Sequence, residues 1–342
     1  LVPPGDGSTT GDGSPENDSS VPFDAGPLCG TKHCFGGTCS TSGAGGVCQP
    51  IAVYTEIGLD PSVIDADDRY VYFASGVNKL VRLDPTNGAT LSLATSEPNL
   101  SDLTVSGANV YFTNGGISGS TVSSCSINGC AGSGNRVDFV VGSNASFFGI
   151  AADATNVYFT SDKGGGGVQK CTISGGAPCT PVQIATSANA HSLFELGGTL
   201  YWDDDSSSAN GVFSCSAASC TKSGGADSTL VTAIAANSVD VFYTTQTTVN
   251  KRVISSGVKS QVIINRTNVV AVAADEKFVY WVDASSGSSG LVQRCQISND
   301  CTVPANVETM AMGLNHPADL VVTADSVYFT DTDNGKVWRV AK

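Results

Sequence analysis

The sequence is poor in histidine, in basic residues and in long apolar runs. Only 3 of its 342 residues are histidine, which leaves few candidates for acid–base catalysis near neutral pH. The 17 Lys and Arg are outnumbered by 31 Asp and Glu, and the net charge of −14 argues against nucleic acid or an anionic membrane as a partner. The same balance is also consistent with a simple need for solubility. The longest apolar runs, such as VVAVAA at residues 269–274, are too short to cross a bilayer.

Cysteine is plentiful, but the twelve cysteines form no CxxC motif. Zinc sites usually need such a motif and a second pair that converges on it. Eight of the cysteines instead form four local pairs, and each pair follows a valine: Cys125 and Cys130, Cys171 and Cys179, Cys215 and Cys220, and Cys295 and Cys301. We therefore predict disulfides and an oxidising compartment outside the cytosol. No signal-peptide pattern opens the chain, and we expect any targeting segment to have been removed.

One unit with an aromatic doublet recurs seven times along the chain. The first aromatic residues of the doublets are Tyr72, Tyr111, Tyr158, Tyr201, Phe242, Tyr280 and Tyr328. Eight positions before them stand seven residues that are all aliphatic, namely Ile64, Leu103, Ile150, Leu193, Ile234, Val272 and Leu320. The intervals of 38 to 48 residues are too long for a hexapeptide solenoid and are right for a blade of four short strands.

Each unit is predicted to form four antiparallel strands. A V-x-R-like strand follows every doublet, and a fourth extended segment is recognisable near residues 91, 137, 182 and 261. No long amphipathic helix pattern is present. Seven such sheets, each with an apolar face, can bury these faces by packing radially against one another. We therefore predict an all-β, seven-bladed β-propeller over residues 51–342. The aliphatic position would lie deep between blades, where each side chain contributes about 1.5–3 kcal/mol.

The two ends of this region indicate how the ring closes. The seventh unit stops at Lys342 with three strands, and residues 51–57 (IAVYTEI) form the one unassigned strand-like segment, just before the first unit. We predict that residues 51–57 supply the missing fourth strand of the last blade. The ring would then have no free sheet edge between its ends.

The local cysteine pairs are predicted to staple hairpins. The first cysteine of each pair lies at the end of the third strand of blades two, three, four and six, and the second lies across or just beyond the following turn. The other three blades carry Leu83, Arg252 and Val340 at this position. Closing so short a loop is worth about 2 kcal/mol per bridge.

The doublet followed by Thr and Asp, and then by a V-x-R strand, resembles the YWTD propellers of lipoprotein-receptor type and their NHL-like relatives. The best matches are residues 328–331 (YFTD) and 280–283 (YWVD). The resemblance covers residues 51–342 and implies a propeller that binds proteins rather than catalysing a reaction. This sequence departs from the family in two ways. It has seven units, whereas YWTD propellers have six blades, and it has Phe in most places where the family has Trp. The family's ligand-contact residues are not carried over, because the matching motifs belong to the core.

The first 50 residues differ from the rest of the chain. Residues 1–28 hold five Pro, five Gly, four Ser and five acidic residues with no Lys or Arg, a composition that cannot fold alone. Residues 29–50 contain four cysteines, which we predict to form a small two-disulfide segment. Of the three possible pairings, the preferred one is Cys29–Cys39 with Cys34–Cys48. His33 fits no zinc-site spacing, and neither a metal nor a cofactor is expected.

Candidate site residues are few. His191 and His316 precede first strands, and Asp102 and Asp319 directly precede an aliphatic residue of the repeat, so all four could reach the mouth of a central channel. A metal or general-base cluster is one interpretation. The other is that these polar groups solvate a water-filled channel, and we assign no catalytic, cofactor-binding or metal residue.

These features predict a secreted or surface-displayed protein. Four sequons could carry glycans in that setting: Asn17, Asn99, Asn144 and Asn265. The expected role is structural or adhesive, and its specific form is an extracellular filament in which residues 1–28 bind the next copy head to tail. Glycans and other surface proteins are further expected partners. The alternatives are a propeller enzyme at the channel mouth, either a lyase or a glycan-acting hydrolase, and a monomeric receptor for protein or glycan.

Overall fold

The computed structural model describes residues 28–29, 32–34, 37–40 and 47–342, except 59, 77, 98, 116–117, 131–135, 144, 163–165, 176, 188, 206–209, 227–229 and 286. The described chain consists of short strands joined by turns, with single-turn 3-10 helices at Ile173–Gly175 and Pro304–Asn306. Among these residues no helix is long and apolar enough to span a membrane. Residues 1–27, which make up nearly all of the predicted tail, lie outside the described part.

Five short strands precede the repeated units. They are β1 (Leu28–Cys29), β2 (Lys32–His33), β3 (Cys39–Ser40), β4 (Val47–Cys48) and β5 (Ile51–Thr55). Strand β1 pairs with β2, and β3 pairs with β4, in two small antiparallel ribbons. Strand β5 belongs to a larger sheet.

Seven four-stranded antiparallel sheets follow one another along the chain and are numbered here as blades one to seven. Blade one has β6 (Ile64–Ala66), β7 (Val71–Ser75), β8 (Lys79–Leu83) and β9 (Thr90–Thr95). Blade two has β10 (Leu100–Ser106), β11 (Asn109–Asn114), β12 (Ser118–Ser126) and β13 (Arg136–Ser143). Blade three has β14 (Phe147–Ala152), β15 (Asn156–Ser161), β16 (Gly167–Thr172) and β17 (Val182–Thr186).

The remaining four sheets have the same organisation. Blade four has β18 (Leu193–Leu196), β19 (Thr199–Asp204), β20 (Gly211–Ser216) and β21 (Ser223–Ala226). Blade five has β22 (Ala233–Ala236), β23 (Asp240–Thr245), β24 (Thr248–Val253) and β25 (Lys259–Ile263). Blade six has β26 (Val269–Ala274), β27 (Phe278–Asp283), β28 (Gly290–Gln296) and β29 (Val307–Leu314). Blade seven has β30 (Pro317–Val322), β31 (Ser326–Asp331), β32 (Lys336–Ala341) and, outermost, β5.

The ring is closed by the segment that precedes blade one. Strand β5 pairs antiparallel with β32, with Ile51 opposite Arg339 and Thr55 opposite Lys336. The first strand of each blade contacts the first strand of the next, and β30 of blade seven contacts β6 of blade one. The predicted all-β, seven-bladed propeller is therefore confirmed. The closing segment was expected to extend to Ile57, but the strand ends two residues earlier and Ile57 is an exposed turn residue.

The aliphatic and aromatic repeats pack against each other in every blade. Each aliphatic residue lies opposite the second aromatic of its own doublet, in the pairs Ile64–Phe73, Leu103–Phe112, Ile150–Phe159, Leu193–Trp202, Ile234–Tyr243, Val272–Trp281 and Leu320–Phe329. All of these side chains are buried. The hydrophobic clusters also cross from blade to blade, and one unites Tyr72 of blade one with Leu103 of blade two. Apolar burial between sheets thus holds the ring together.

Two fourth strands have no recognisable sequence pattern. Strand β21 (SGGA) contains no β-branched or aromatic residue, yet it pairs with β20 at close range. A Cβ at Gly224 would lie 2.5 Å from the backbone oxygen of Val212, so glycine permits this approach. Strand β29 shifts register twice against β28, which breaks the alternation that a sequence search relies on.

Six disulfides are present among the described residues. Four lie in the blades, namely Cys125–Cys130, Cys171–Cys179, Cys215–Cys220 and Cys295–Cys301. The other two are Cys29–Cys39 and Cys34–Cys48, both in the N-terminal segment. This number of disulfides indicates folding in an oxidising compartment.

The cysteine-rich segment is packed into the ring, and we call residues 29–48 the anchor. Three of its four cysteines are buried in one hydrophobic cluster with Met310 of blade six and Leu320 of blade seven. Strand β5, the outermost strand of blade seven, follows the anchor almost directly. The anchor therefore ties whatever precedes it to blades six and seven.

The strand directions define two faces of the ring. Every first strand begins at the same face, which we call the upper face, and runs towards the lower face. Strand β32 runs in the same direction as β30, and β5 runs antiparallel to β32. Strand β5 consequently begins, at Ile51, on the lower face, and the anchor joins the ring there.

Replacement of Ile150 by Asp tests the packing between blades. Ile150 is 3% exposed, so a carboxylate there would be buried without a partner, and we expect the free energy of unfolding to fall by about 4 kcal/mol or more. The matched control is the same change at Ile57, which is 92% exposed and should leave stability unchanged. Denaturant unfolding followed by tryptophan fluorescence measures both, and equal stability of the two variants would contradict the role given to Ile150.

Candidate functional site at the channel mouth

The first strands of the seven blades surround a central channel, which widens into a cavity at the upper face. This cavity has a volume of about 410 Å³ and is lined by residues of all seven blades. Three of the channel-mouth candidates, Asp102, Asp319 and His191, line it, whereas His316 does not. Apolar side chains such as Phe148 share the wall with these polar groups.

Asp102 and Asp319 bridge neighbouring blades. The Oδ2 atom of Asp102 accepts a hydrogen bond from the backbone N–H of Ile150 in blade three at 2.9 Å, and that of Asp319 accepts one from Ile64 in blade one at 3.0 Å. The Oδ1 atom of each carboxylate accepts the N–H of the next residue in its own strand. A first strand has no neighbouring strand on its channel side, so these carboxylates satisfy N–H groups that would otherwise need water.

A third aspartate, Asp65, makes the same kind of bridge. Its Oδ2 atom accepts the N–H of Val105 in blade two at 2.8 Å, and its Oδ1 atom accepts that of Ala66 at 2.8 Å. Asp65 follows the aliphatic residue Ile64 instead of preceding it, so a search at one fixed position of the repeat does not find it. Blades seven, one, two and three are thus joined in series by three carboxylates.

Shielding from water raises the pKa values of these three carboxylates. Burial raises the pKa of Asp65 to about 6, that of Asp102 to about 8 and that of Asp319 to about 7. The negative charges of Asp319 and Asp65 add to the rise at Asp102, while the backbone hydrogen bonds oppose it. Near neutral pH the channel therefore carries less negative charge than its composition suggests.

His191 lies beside two further carboxylates at the edge of the cavity. Its Nδ1 atom is 3.3 Å from Asp205 Oδ2 and 3.8 Å from Asp203 Oδ2, and its ring packs edge-on against Phe148 with 4.6 Å between centroids. Asp203, together with Asp205, raises the pKa of the imidazole. Since Nδ1 faces the carboxylates, Nε2 is the atom that could exchange a proton with a molecule in the cavity.

Asp203 occupies a repeat position that is threonine in four other blades. In three of these blades the threonine hydroxyl donates to a backbone carbonyl of the next blade: Thr113 to Phe148, Thr160 to His191 and Thr330 to Ser62. Asp203 is buried and instead accepts the N–H groups of His191 and Ser192 in its own blade through Oδ1. Burial raises the pKa of Asp203. Asp203 therefore positions the segment that carries His191.

His316 lies apart from the cavity, on the upper rim. Its Nδ1 atom is 2.5 Å from Asp333 Oδ2, and both side chains are about half exposed. Its backbone φ of 55° belongs to a turn in the left-handed region. The structure thus contains two separate His–Asp pairs at the upper face and does not bring the two histidines into one site.

Within the described part of the chain, one group of side chains has the spacing to hold a metal ion. It consists of Cys29, Cys34 and Cys48. All three sulfurs are engaged in disulfides, so they are not thiolates and do not fit a metal.

Two of the four sequons lie in the described residues. Asn99 and Asn265 are exposed, and their φ values of 56° and 58° lie in the left-handed region. Both are accessible to a glycosylating enzyme. Asn17 and Asn144 lie outside the described residues.

No family model matches the chain, and no curated protein matches it by sequence. A catalytically inactive histidine-to-alanine variant of virginiamycin B lyase from Staphylococcus aureus, with quinupristin, aligns with a TM-score of 0.65 at 13% identity over 86% of this chain and 98% of that chain. The structure of U3-55K aligns with a TM-score of 0.68 at 10% identity over 86% and 98%. A chain of the nidogen/laminin complex aligns with a TM-score of 0.53 at 14% identity over 72% and 93%. The shared feature is the propeller fold.

Replacement of Asp102 by Asn should change the pH dependence of stability. Because the pKa of Asp102 is raised to about 8, the folded state retains a proton that the unfolded state releases near pH 4. The free energy of unfolding therefore falls as pH rises from about 4 to about 8, and the variant lacks this part of the fall.

Denaturant unfolding between about pH 4 and about pH 9 measures the effect. We expect the stability difference between wild type and Asp102→Asn to change by at least ~1.4 kcal/mol over this range. Asp68→Asn, at an exposed site, should follow wild type. Parallel curves for wild type and Asp102→Asn would show that Asp102 does not titrate in this way.

Proposed function

We propose that this protein is an extracellular structural or adhesive propeller that assembles with other copies of itself through residues 1–28. The observation that supports this most directly is the anchor, which is cross-linked by two disulfides and buried in the hydrophobic cluster of blades six and seven. A terminal segment that only trails from a domain does not need such an attachment. Through this attachment, a force applied to the residues before the anchor would be carried by the packed blades of the ring.

The charge of residues 1–28 favours a partner surface away from the channel. These residues include five acidic side chains and no basic one. The cavity at the upper face is lined by Asp102 and Asp319, and no Lys or Arg of the described residues lines it. A cavity without lysine or arginine offers no fixed positive charge to pair with this acidic segment. The anchor also joins the ring at the opposite, lower face.

A contact between residues 1–28 of one copy and the body of another is head-to-tail. The donating and receiving surfaces are different parts of the molecule, so the contact repeats along a line and need not close. Linear oligomers or filaments are the expected product. A disulfide-stapled ring without free edges between its ends is a suitable rigid unit for them.

Deletion of residues 1–27 tests this proposal and leaves strand β1 intact. We expect the full chain to form linear assemblies in negative-stain electron microscopy and to sediment as a mixture of sizes. The deleted chain should sediment as a monomer, because the donating segment is gone. Its thermal unfolding midpoint should match that of the full chain, which controls for loss of fold. A full chain that is monomeric would contradict the proposal and favour a receptor for protein or glycan.

A second candidate function is acid–base catalysis at the channel mouth. It is favoured by His191, whose Nδ1 faces Asp205 and Asp203 next to a cavity of about 410 Å³. A histidine held in this way can exchange a proton through Nε2 near neutral pH. The virginiamycin B lyase of the same fold is catalytically inactive when a histidine is replaced by alanine. The two proteins are alike in fold alone. The likeness therefore serves here only to choose quinupristin as the first compound to test.

Incubation of the full chain with quinupristin, followed by liquid chromatography and mass spectrometry, tests this candidate. We expect conversion by wild type and a loss of ~100-fold or more in His191→Ala, because the proton-exchanging group is removed. His316→Ala is the matched control and should retain conversion, since its imidazole lies outside the cavity. Absence of conversion, or equal conversion by His191→Ala and wild type, would argue against this chemistry.

A further inference from the structure

The cavity at the upper face has two chemically different sides. Blades seven and two, which flank blade one, contribute the carboxylates of Asp319 and Asp102, and we call this the acidic side. Blades five and six contribute what we call the apolar side. Its residues are Ala233, Ile234, Val270, Ala271 and Val272, together with the polar Thr232. A ligand that fills the cavity therefore meets charge on one side and hydrocarbon on the other.

The two carboxylates of the acidic side are fixed by the backbone and still face the cavity. Each accepts one N–H of the next blade through Oδ2 and one N–H of its own strand through Oδ1. A carboxylate has about four lone-pair sites, so two such bonds leave room for a further donor. Asp102 and Asp319 are half-buried, and both line the cavity. A donor on a ligand would thus meet acceptors that are already held in position, which reduces the entropy cost of binding.

The apolar side distinguishes this cavity from a mere group of acidic residues. Val270, Ala271 and Val272 are consecutive residues of β26, and Ala233 and Ile234 begin β22 in the neighbouring blade. Apolar surface of a ligand that packs against them is removed from water, which is favourable. The volume of about 410 Å³ is within the range of small-molecule sites, roughly 300–1,000 Å³. The cavity is therefore large enough to use both sides for one ligand.

The other ionisable groups near the cavity do not reverse the charge of its acidic side. Asp65 of blade one acts on both Asp102 and Asp319 with a further negative charge. Among the described lining residues the one basic side chain is His191. The carboxylates that favour its protonation are Asp203, Asp205 and Asp162. The charge of a protonated His191 is thus offset by its own neighbours.

We infer that the cavity binds a small organic cation, whose ammonium group donates to Asp102 and Asp319 while its apolar part packs on blades five and six. An ammonium group has three N–H donors, so it can bond to more than one carboxylate. Hydrogen bonds between ionised groups are among the strong ones, and an apolar body adds affinity that an inorganic cation would lack. The inference rests neither on assembly through residues 1–28 nor on catalysis.

Binding of a cation should be linked to release of protons. Burial raises the pKa of Asp102 to about 8 and that of Asp319 to about 7, so both carboxyl groups are mostly protonated at about pH 6. A bound cation favours the ionised form, and affinity therefore rises as pH rises from about 6 to about 8.5. Loss of the proton from His191 over this range removes a positive charge and acts in the same direction.

Isothermal titration calorimetry of the full chain with phenethylamine tests the inference. Its amine remains protonated throughout this pH range, because aliphatic amines of this kind titrate near ~10. We expect the dissociation constant to fall ~10-fold or more between about pH 6 and about pH 8.5. Two matched ligands separate the two sides of the cavity. Phenethyl alcohol lacks the charge and methylamine lacks the apolar body, and each should bind ~10-fold or more weakly than phenethylamine at the higher pH.

Amide variants assign the binding to the acidic side. Asp102→Asn and Asp319→Asn should each weaken phenethylamine binding ~10-fold at about pH 8.5 and much less at about pH 6, where the wild-type carboxyl groups are mostly protonated. The matched control is Asp68→Asn, an exposed change of the same charge outside the cavity, which should bind as wild type does at both pH values. Thermal unfolding of each variant checks that the ring is intact.

Three outcomes would overturn the inference. They are failure of phenethylamine to bind at the higher pH, equal binding of phenethylamine and phenethyl alcohol, and unchanged binding by intact Asp102→Asn and Asp319→Asn. The first two are measured on the wild-type chain, so they decide the matter even if an amide variant does not fold. Binding that is equal at the two pH values would also contradict the inference, since the carboxylates would then not be the partners.

The chain lacking residues 1–27 separates this inference from the proposed function. It retains the whole cavity, so it should bind phenethylamine as the full chain does. If the full chain forms assemblies but binds no phenethylamine, assembly is supported and the cation site is wrong. If the full chain is monomeric and binds phenethylamine as expected, the cation site is supported and assembly is wrong.

Discussion

A backbone N–H group on the channel side of a first strand needs an acceptor, and this need organises the centre of the ring. Asp319, Asp65 and Asp102 meet it by reaching across to the next blade. Blade three has Gly149 at the position that Asp102 and Asp319 occupy in their blades. There blades three and four approach so closely that a Cβ on Gly149 would lie 2.3 Å from the His191 carbonyl oxygen. The carboxylates of the channel are therefore part of the architecture, and their raised pKa values follow from their burial.

The rim of the ring varies more than its centre. The residue at the end of the third strand is cysteine in four blades, aliphatic at Leu83 and Val340, and cationic at Arg252. In a repeat protein the shared positions build the core, and a position that differs from unit to unit can give one junction its own chemistry. The contact of Arg252 with blade four is a feature of this outer region, and no other blade carries an arginine at this position.

Features with a fixed period could be predicted from the sequence, and features formed between blades could not. The aliphatic and aromatic repeats predicted the blade count, and counting strands then left β5 as the closing strand. Asp65 was missed because it stands one residue off the repeat. Strand β21 was missed because its partner, not its own side chains, makes it a strand. The hydrogen bond from Arg252 to the Val212 carbonyl joins two residues that are distant in sequence and meet only when two blades pack.

Arginine at the place of a stapling cysteine gives blade five a different response to redox chemistry. A thiol reductant attacks disulfide sulfurs, so it would open the bridges of four blades and both bridges of the anchor. Arg252 contains no sulfur, and its hydrogen bond to the Val212 carbonyl of blade four would survive that treatment. A reducing milieu would therefore loosen four blades and the anchor while it spares the contact that Arg252 makes between blades four and five.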